Sequence, residues 1–252
     1  MKEQLYTIPL NDAVNAGDEC PFCYVQREVE NDIMDFVLGS CASYMEADMR
    51  EKTDTAGFCK RHSKAMFDYG NTLGNAWILK THYMRINGEL EKQIAGFKPG
   101  KKSLMDKLKG NSETENPLVA WMQKWQSSCY ICDEYQKTYT RYLDTFVYLW
   151  KTEEDFRERV CKSKGFCMTH FMDLCKKADK DLSAAELEAF YAKLLPVFAE
   201  GMQRLQDDVS WLVEKFDYQN KDADWKNSKD AIERGMQKLK SGYPADKPHV
   251  QK

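Results

Sequence analysis

Eight side chains suited to binding a soft metal ion stand in two sets of identical make-up. Cys20-Pro21-Phe22-Cys23 is followed by Gly57-Phe58-Cys59-Lys60-Arg61-His62. Cys129-Tyr130-Ile131-Cys132 is followed by Gly165-Phe166-Cys167-Met168-Thr169-His170. Each set offers three thiols and one imidazole as two i, i+3 pairs, and 35 residues separate the pairs in the first set against 34 in the second. Three thiolates and an imidazole make a standard tetrahedral zinc shell. An i, i+3 pair on the first turn of a helix puts both donors on one face. The positive end of the helix dipole favours thiolates there.

The expected metal ligands are therefore Cys20, Cys23, Cys59 and His62 in the first set, and Cys129, Cys132, Cys167 and His170 in the second. Zinc is the expected cofactor, two ions per chain. An iron–sulfur cluster is the alternative, because three thiolates and a histidine can also hold one. Covalent haem is excluded by Tyr24 and Asp133, which stand where the histidine of a CxxCH motif belongs. A thioredoxin-type dithiol needs a strand–helix context that the pattern lacks, and it leaves Cys59, His62, Cys167 and His170 without a role. Pairing of ligands within each set is the simpler arrangement. Spacing alone does not choose between that and an exchange between the sets.

The elements that carry these residues repeat as well. Cys20, Cys23 and Asp35 match Cys129, Cys132 and Asp144 at one offset, and Cys59 and His62 match Cys167 and His170 at an offset one residue smaller. A duplicated unit follows from this. The expected fold class is all-α: a duplicated helical unit, each with a Cys3His site joining two helix N-termini. Gly57 and Gly165 allow a tight turn into the second helix of each set. Phe58 and Phe166 stand where they can exclude water beside the metal.

Apolar periodicity supplies the helices. Residues 1–19 read as an extended lead-in with a short helical turn. Pro21 opens a helix to about Leu38, with Phe22, Val25, Val29, Ile33 and Phe36 as its stripe. Shorter helices are expected at Met45 to Lys52 and from Cys59 to the Gly70-Asn71 break, then a long one from Leu73 to Ala95. In the second half, helices are expected at Pro117 to Ser127 and at Ile131 to Trp150. Thr152 reads as the cap of a helix reaching Lys162. Another helix carries Cys167 and His170, and a long one begins at Ser183 with Glu186 in the capping-box position. A last amphipathic helix starts near Asn227, with Ile232, Met236 and Leu239 as its apolar face. The domain boundaries that follow are 1–96 for the first Cys/His unit, 97–116 for a lysine-rich linker, 117–218 for the second unit, and 219–252 for a C-terminal helix and flexible tail.

A chain of 252 residues with 42% hydrophobic and 31% charged residues is expected to be soluble and globular. Its net charge of −3 gives no reason to bind nucleic acid or an anionic membrane, which leaves a protein as the partner class open to it. Met1 to Leu10 holds no apolar run of the signal-peptide kind, and no run elsewhere is long enough to span a bilayer. A cytoplasmic protein is expected. Nine cysteines in a reducing compartment point to metal ligands or free thiols rather than disulfides. Cys41, Cys161 and Cys175 fall outside the motifs and read as small buried hydrophobes.

Whether the chain is an enzyme is not fixed by these residues. Four protein ligands fill a zinc shell, which favours a structural site, whereas catalytic zinc keeps a position open. His82 has no counterpart in the second set. It reads as a satisfied histidine, or as the mark of a small-molecule or second metal site between helices. Glu153-Glu154-Asp155 and Asp207-Asp208 read as solvated helix faces. No phosphate loop, nucleophile elbow or HExxH is present.

The opening Tyr6-Thr7-Ile8-Pro9 with Asn11-Asp12-Ala13, the CPFC at Cys20, Ser43-Tyr44-Met45-Glu46, GFCKRH, and Gly70-Asn71 through Thr81-His82 resemble a bacterial family of unknown function common in anaerobes. The resemblance covers most of residues 4–215. It implies a cytoplasmic helical protein with paired CPxC and GFCxxH motifs, and it carries no activity. Cys129-Tyr130-Ile131-Cys132 departs from the pattern by lacking the proline found at Pro21. The expected function is a metal-binding helical interaction scaffold. An iron–sulfur or thiol redox protein, which could be an enzyme, is the alternative.

Overall fold

The computed structural model describes residues 4–97 and 116–245. Among these the chain forms eleven α-helices, two short 3-10 turns and no strand. In chain order the helices are α1 (Gln4–Asn15), α2 (Pro21–Leu38), α3 (Ala47–Ala56), α4 (Lys60–Tyr69), α5 (Thr72–Gly96), α6 (Pro117–Ser127), α7 (Tyr130–Thr152), α8 (Glu154–Cys161), α9 (Met168–Asp181), α10 (Ala184–Glu214) and α11 (Ala231–Lys240). No described helix is long and apolar enough to cross a membrane. Residues 98–115 of the expected linker and 246–252 of the expected tail lie outside the described residues.

Two compact units cut across the sequence halves. One gathers residues 4–30 and 135–245, the other residues 31–97 and 116–134. The division falls within α2 and within α7. The stripe of α2 responds to it. Phe22, Val25 and Val29 are buried as expected, but beyond residue 30 the buried positions are Met34, Val37 and Leu38, and Phe36 is 53% exposed. Met34, Val37 and Leu38 join the core cluster of the second unit, so the apolar face restarts out of register there.

The core of the first unit is aromatic. Phe22, Phe146, Phe156, Phe166 and Phe190 are fully buried. Phe146 meets Phe156 edge to face at 5.3 Å, as Trp150 meets Phe190. Such pairs add about 0.5–1.5 kcal/mol each to the area they bury. The core of the second unit is mixed, with Met49, Met66, Tyr69 and Ile78 packed around Tyr130 and Ile131.

Three local expectations give way to packing. The lead-in is helical from Gln4, with Pro9 inside α1, because Leu10, Ala13 and Val14 form a buried stripe. That burial outweighs the single backbone bond the proline removes. Thr152 ends α7 rather than capping α8: its hydroxyl donates to the Tyr148 carbonyl at 3.0 Å, and Glu153 takes the cap position. The largest correction concerns α11. Its apolar residues Ile232, Met236 and Leu239 are exposed, whereas Arg234, Gln237 and Lys238 are buried. The polar face turns inward because buried carboxylates of the first unit await it.

Candidate metal centres

Each metal-ligand pair sits at a helix N-terminus for the reason its sequence suggests. Cys20 precedes Pro21, the first residue of α2, and its carbonyl accepts the N–H groups of Cys23 and Tyr24 at 3.0 and 3.2 Å. Cys59 caps α4, Cys129 precedes α7, and Cys167 caps α9 with its sulfur accepting the His170 N–H at 3.4 Å. The second donor of each pair stands three residues on, within the first turn. All four pairs therefore project from the positive ends of helices. Gly57 and Gly165 turn the chain into α4 and α9 at φ +59° and +84°, where a side chain is strained.

The structure gathers all eight predicted residues into two groups, but it exchanges the partners. Cys20 and Cys23 meet Cys167 and His170, while Cys59 and His62 meet Cys129 and Cys132. The simpler expectation, pairing within each sequence set, does not hold. The N-termini of α2 and α9 face each other in the first unit and those of α4 and α7 in the second. One group thus has both pairs in the unit made from the two ends of the chain, the other in the unit made from its middle. The Tyr130 N–H donates to the Gly57 carbonyl at 2.9 Å and fastens the second pairing through the backbone.

In each group the donor atoms lie within 4.8 Å of one another. In the first, His170 Nδ1 lies 3.5, 3.4 and 3.2 Å from the sulfurs of Cys20, Cys23 and Cys167, and the Cys23 and Cys167 sulfurs are 3.7 Å apart. In the second, His62 Nδ1 lies 3.4, 3.2 and 3.3 Å from Cys59, Cys129 and Cys132, with Cys59 and Cys132 sulfurs 3.9 Å apart. Zinc–sulfur bonds of about 2.3 Å and zinc–nitrogen bonds of about 2.0–2.1 Å give tetrahedral edges of about 3.8 Å between sulfurs and about 3.6 Å between sulfur and nitrogen. The sulfur–sulfur distances of 3.7 and 3.9 Å fall on those edges and the sulfur–nitrogen distances of 3.2–3.5 Å just inside them, so each group can hold a single metal ion.

Their electrostatics ask for a cation. Burial of His170 disfavours its charged form, yet the Cys20 charge and hydrogen bonds with the Cys167, Cys20 and Cys23 sulfurs hold its pKa well above the ordinary value. Around His62 the thiols divide. Burial pushes the Cys129 thiol up, but hydrogen bonds from His62 and from the Cys59 and Cys132 backbone outweigh it and lower its pKa. Cys132 is raised by burial and by the neighbouring Cys129. Three crowded sulfurs cannot all ionise beside one imidazole. A divalent ion removes that conflict by drawing charge from every donor.

The surroundings of the two groups differ. All four residues of the first are buried, and Phe22 and Tyr139 stand 6.0 and 5.5 Å from the His170 ring. Phe166, fully buried, lies against Phe22 and Phe146 and keeps water away as its position suggested. In the second group Cys59 and Cys132 are only half-buried. His82 belongs to that side: its Nδ1 meets the Asp54 carbonyl at 3.0 Å and its ring stacks edge-on to Trp125. A Cβ on Gly57 would lie 2.8 Å from the His82 ring, so the histidine covers the turn that delivers Cys59. It is held there as a packing residue.

Sequence reasoning missed the ion network behind the first group. Glu19, 2% exposed and next to Cys20, meets Arg204, Arg234 at 3.2 Å and Lys238 at 3.4 Å. Burial works against its charge, but Arg204, Lys238 and Arg234 prevail and hold its pKa below the usual value. Lys238 also donates to the carbonyls of Glu19 at 2.8 Å and Lys164 at 2.6 Å, strapping the segments that lead into both ligand pairs. Asp208 pairs with Arg234 at 2.9 Å and is not a solvated position. No periodicity signals such a network, because its members span residues 19 to 238. The remaining cysteines differ from expectation too: Cys41 is exposed and Cys161 and Cys175 are half-buried.

A family model described as a family of unknown function matches residues 1–246. No curated protein and no solved structure matches the chain.

Proposed function

The chain belongs to that family of unknown function, DUF6062, and from its own side chains we propose that it is a zinc protein. Cys20, Cys23, Cys167 and His170 hold one ion, and Cys59, His62, Cys129 and Cys132 hold the other. One observation carries this reading: in each group the four donor atoms lie within 4.8 Å of one another, with the imidazole nitrogen 3.2–3.5 Å from all three sulfurs. An iron–sulfur cluster distributes its ligands over separate irons and spreads them wider. The close gathering of all four donors supports a single ion, and three thiolates with one imidazole support zinc.

The ion would supply charge neutralisation and a cross-link. Four protein ligands leave no coordination position for a substrate, so the role is structural. Structural zinc contributes about 10–16 kcal/mol in small peptides. That energy here would hold α2 against α9 and α4 against α7, and the helices so fixed form a scaffold for a protein partner. The matched layout of the two ligand sets supports an origin by duplication. The free state of all nine cysteines fits work in the reducing cytoplasm.

Metal and sulfide analysis of protein purified without oxygen tests the proposal. Two zinc equivalents per chain and no acid-labile sulfide are expected, with loss of near-ultraviolet dichroism on chelation. Iron with sulfide, or protein folded without metal, would overturn it.

A further inference from the structure

Beside the Glu19 network lies a cavity of about 460 Å³ lined by five cations, Lys164, Arg204, Lys226, Lys229 and Arg234, and by the single carboxylate Asp230. All belong to the first unit. The volume lies within the range of about 300–1,000 Å³ found for small-molecule sites. The cations form two layers. Arg204 and Arg234 make the inner layer, and carboxylates aim both: Glu19 reaches each, and Asp208 lies 2.9 Å from Arg234 and 3.7 Å from Arg204. Asp230 holds the Arg234 Nε at 2.9 Å. With Lys238, three inner cations face three carboxylates and the layer is balanced.

The rim is not balanced. Among the described residues, Lys164, Lys226 and Lys229 have no carboxylate in ion-pair reach. The Lys226 amine instead stands 3.9 Å from the centre of the Trp211 ring. Three positive charges thus gather at one opening in a chain whose net charge is −3. Pre-aimed guanidinium groups below and exposed ammonium groups above suit the oxygens of a phosphoryl group, which accept from both.

We propose that this cavity binds a small phosphoryl-bearing molecule, with a diphosphate group best matched to the three unbalanced charges. None of the lining residues belongs to either metal-ligand group, so the proposal does not depend on which metal they hold.

Calorimetric titration of the metal-loaded full chain with sodium pyrophosphate, at constant ionic strength, tests this. Saturable binding of one equivalent is expected, at least tenfold tighter than inorganic phosphate. The double variant Lys164→Ala/Lys229→Ala should bind at least tenfold more weakly, with unchanged metal content and helical dichroism. Absence of saturable binding, or equal binding by the double variant, overturns the proposal. So does binding confined to vesicles containing phosphatidic acid, which would assign the cations to a lipid surface. Metal content measured on the same samples keeps this outcome separate from the fate of the zinc reading.

Discussion

The sulfurs of Cys23 and Cys167 lie 3.7 Å apart across a sequence separation of 144 residues. Cys59, the third cysteine of the sequence set that holds Cys23, belongs to the other group. Each candidate metal centre therefore closes a long loop, and one loop encloses the other. Loop closure grows costlier only logarithmically with length. A metal ion bound at each centre would offset that cost, and the order of closure would become a matter of kinetics.

The exchanged pairing is open to direct test. Cys23→Ser and Cys167→Ser should each leave one zinc equivalent per chain, and the double variant Cys23→Ser/Cys167→Ser should still leave one. Cys23→Ser/Cys59→Ser should leave none. Pairing within each sequence set predicts the reverse for the two double variants, so metal content by mass spectrometry separates them.

Gly57 is expected to resist any side chain. Its φ of +59° is strained for alanine, and the new Cβ would meet the His82 ring at 2.8 Å. Gly57→Ala should destabilise the second unit by about 1–3 kcal/mol. His82→Ala in the same chain should recover the part due to collision and leave the part due to backbone strain. A double-mutant cycle of denaturant midpoints reads the two apart.

Glu19 meets three buried or half-buried cations beside Cys20. Glu19→Gln leaves the buried Lys238 without a carboxylate, while Asp208 and Asp230 still face Arg204 and Arg234, and should cost about 3–5 kcal/mol in unfolding free energy. Glu19→Gln with Lys238→Met should recover part of that loss, because the most buried cation goes with its partner. A double variant no more stable than Glu19→Gln alone would falsify the assignment of Glu19 as the counter-ion of Lys238.

The cap of α10 titrates in a defined window. Hydrogen bonds from the Ser183 backbone N–H and then its hydroxyl, with the Lys151 ammonium, lower the Glu186 pKa from 4.5 to about 2. A carboxyl lowered on folding stabilises the protein above its unfolded pKa, and that contribution fades as pH falls towards the folded value. The difference in stability between the native chain and Glu186→Gln should be constant above about pH 5, shrink between pH 4.5 and 2, and vanish below. Urea titrations across that range check it.

Much of the local structure was legible because it rests on short-range physics. Pro21 and Pro117 set helix starts, Gly70 and Asn71 separate α4 from α5, and Glu186 reaches back to Ser183 as the box position implies. The i, i+3 ligand pairs at helix N-termini follow from the same rules. Where these rules misled, a distant partner intervened. Pro9 lies inside a helix because its neighbours are buried, and the apolar face of α11 is exposed because Arg234 and Lys238 are drawn to Glu19.

The sequence by itself determined which eight residues can bind metal, that each pair opens a helix, and that the chain is helical. Those properties depend on residue type and on separations of three or four positions. Only the tertiary structure decided which pair meets which. Either pairing brings three thiols and one imidazole together, so no ligand count distinguishes them. The choice rests on how α2 and α7 divide their apolar faces between two cores, and that is a property of the packed molecule rather than of any segment.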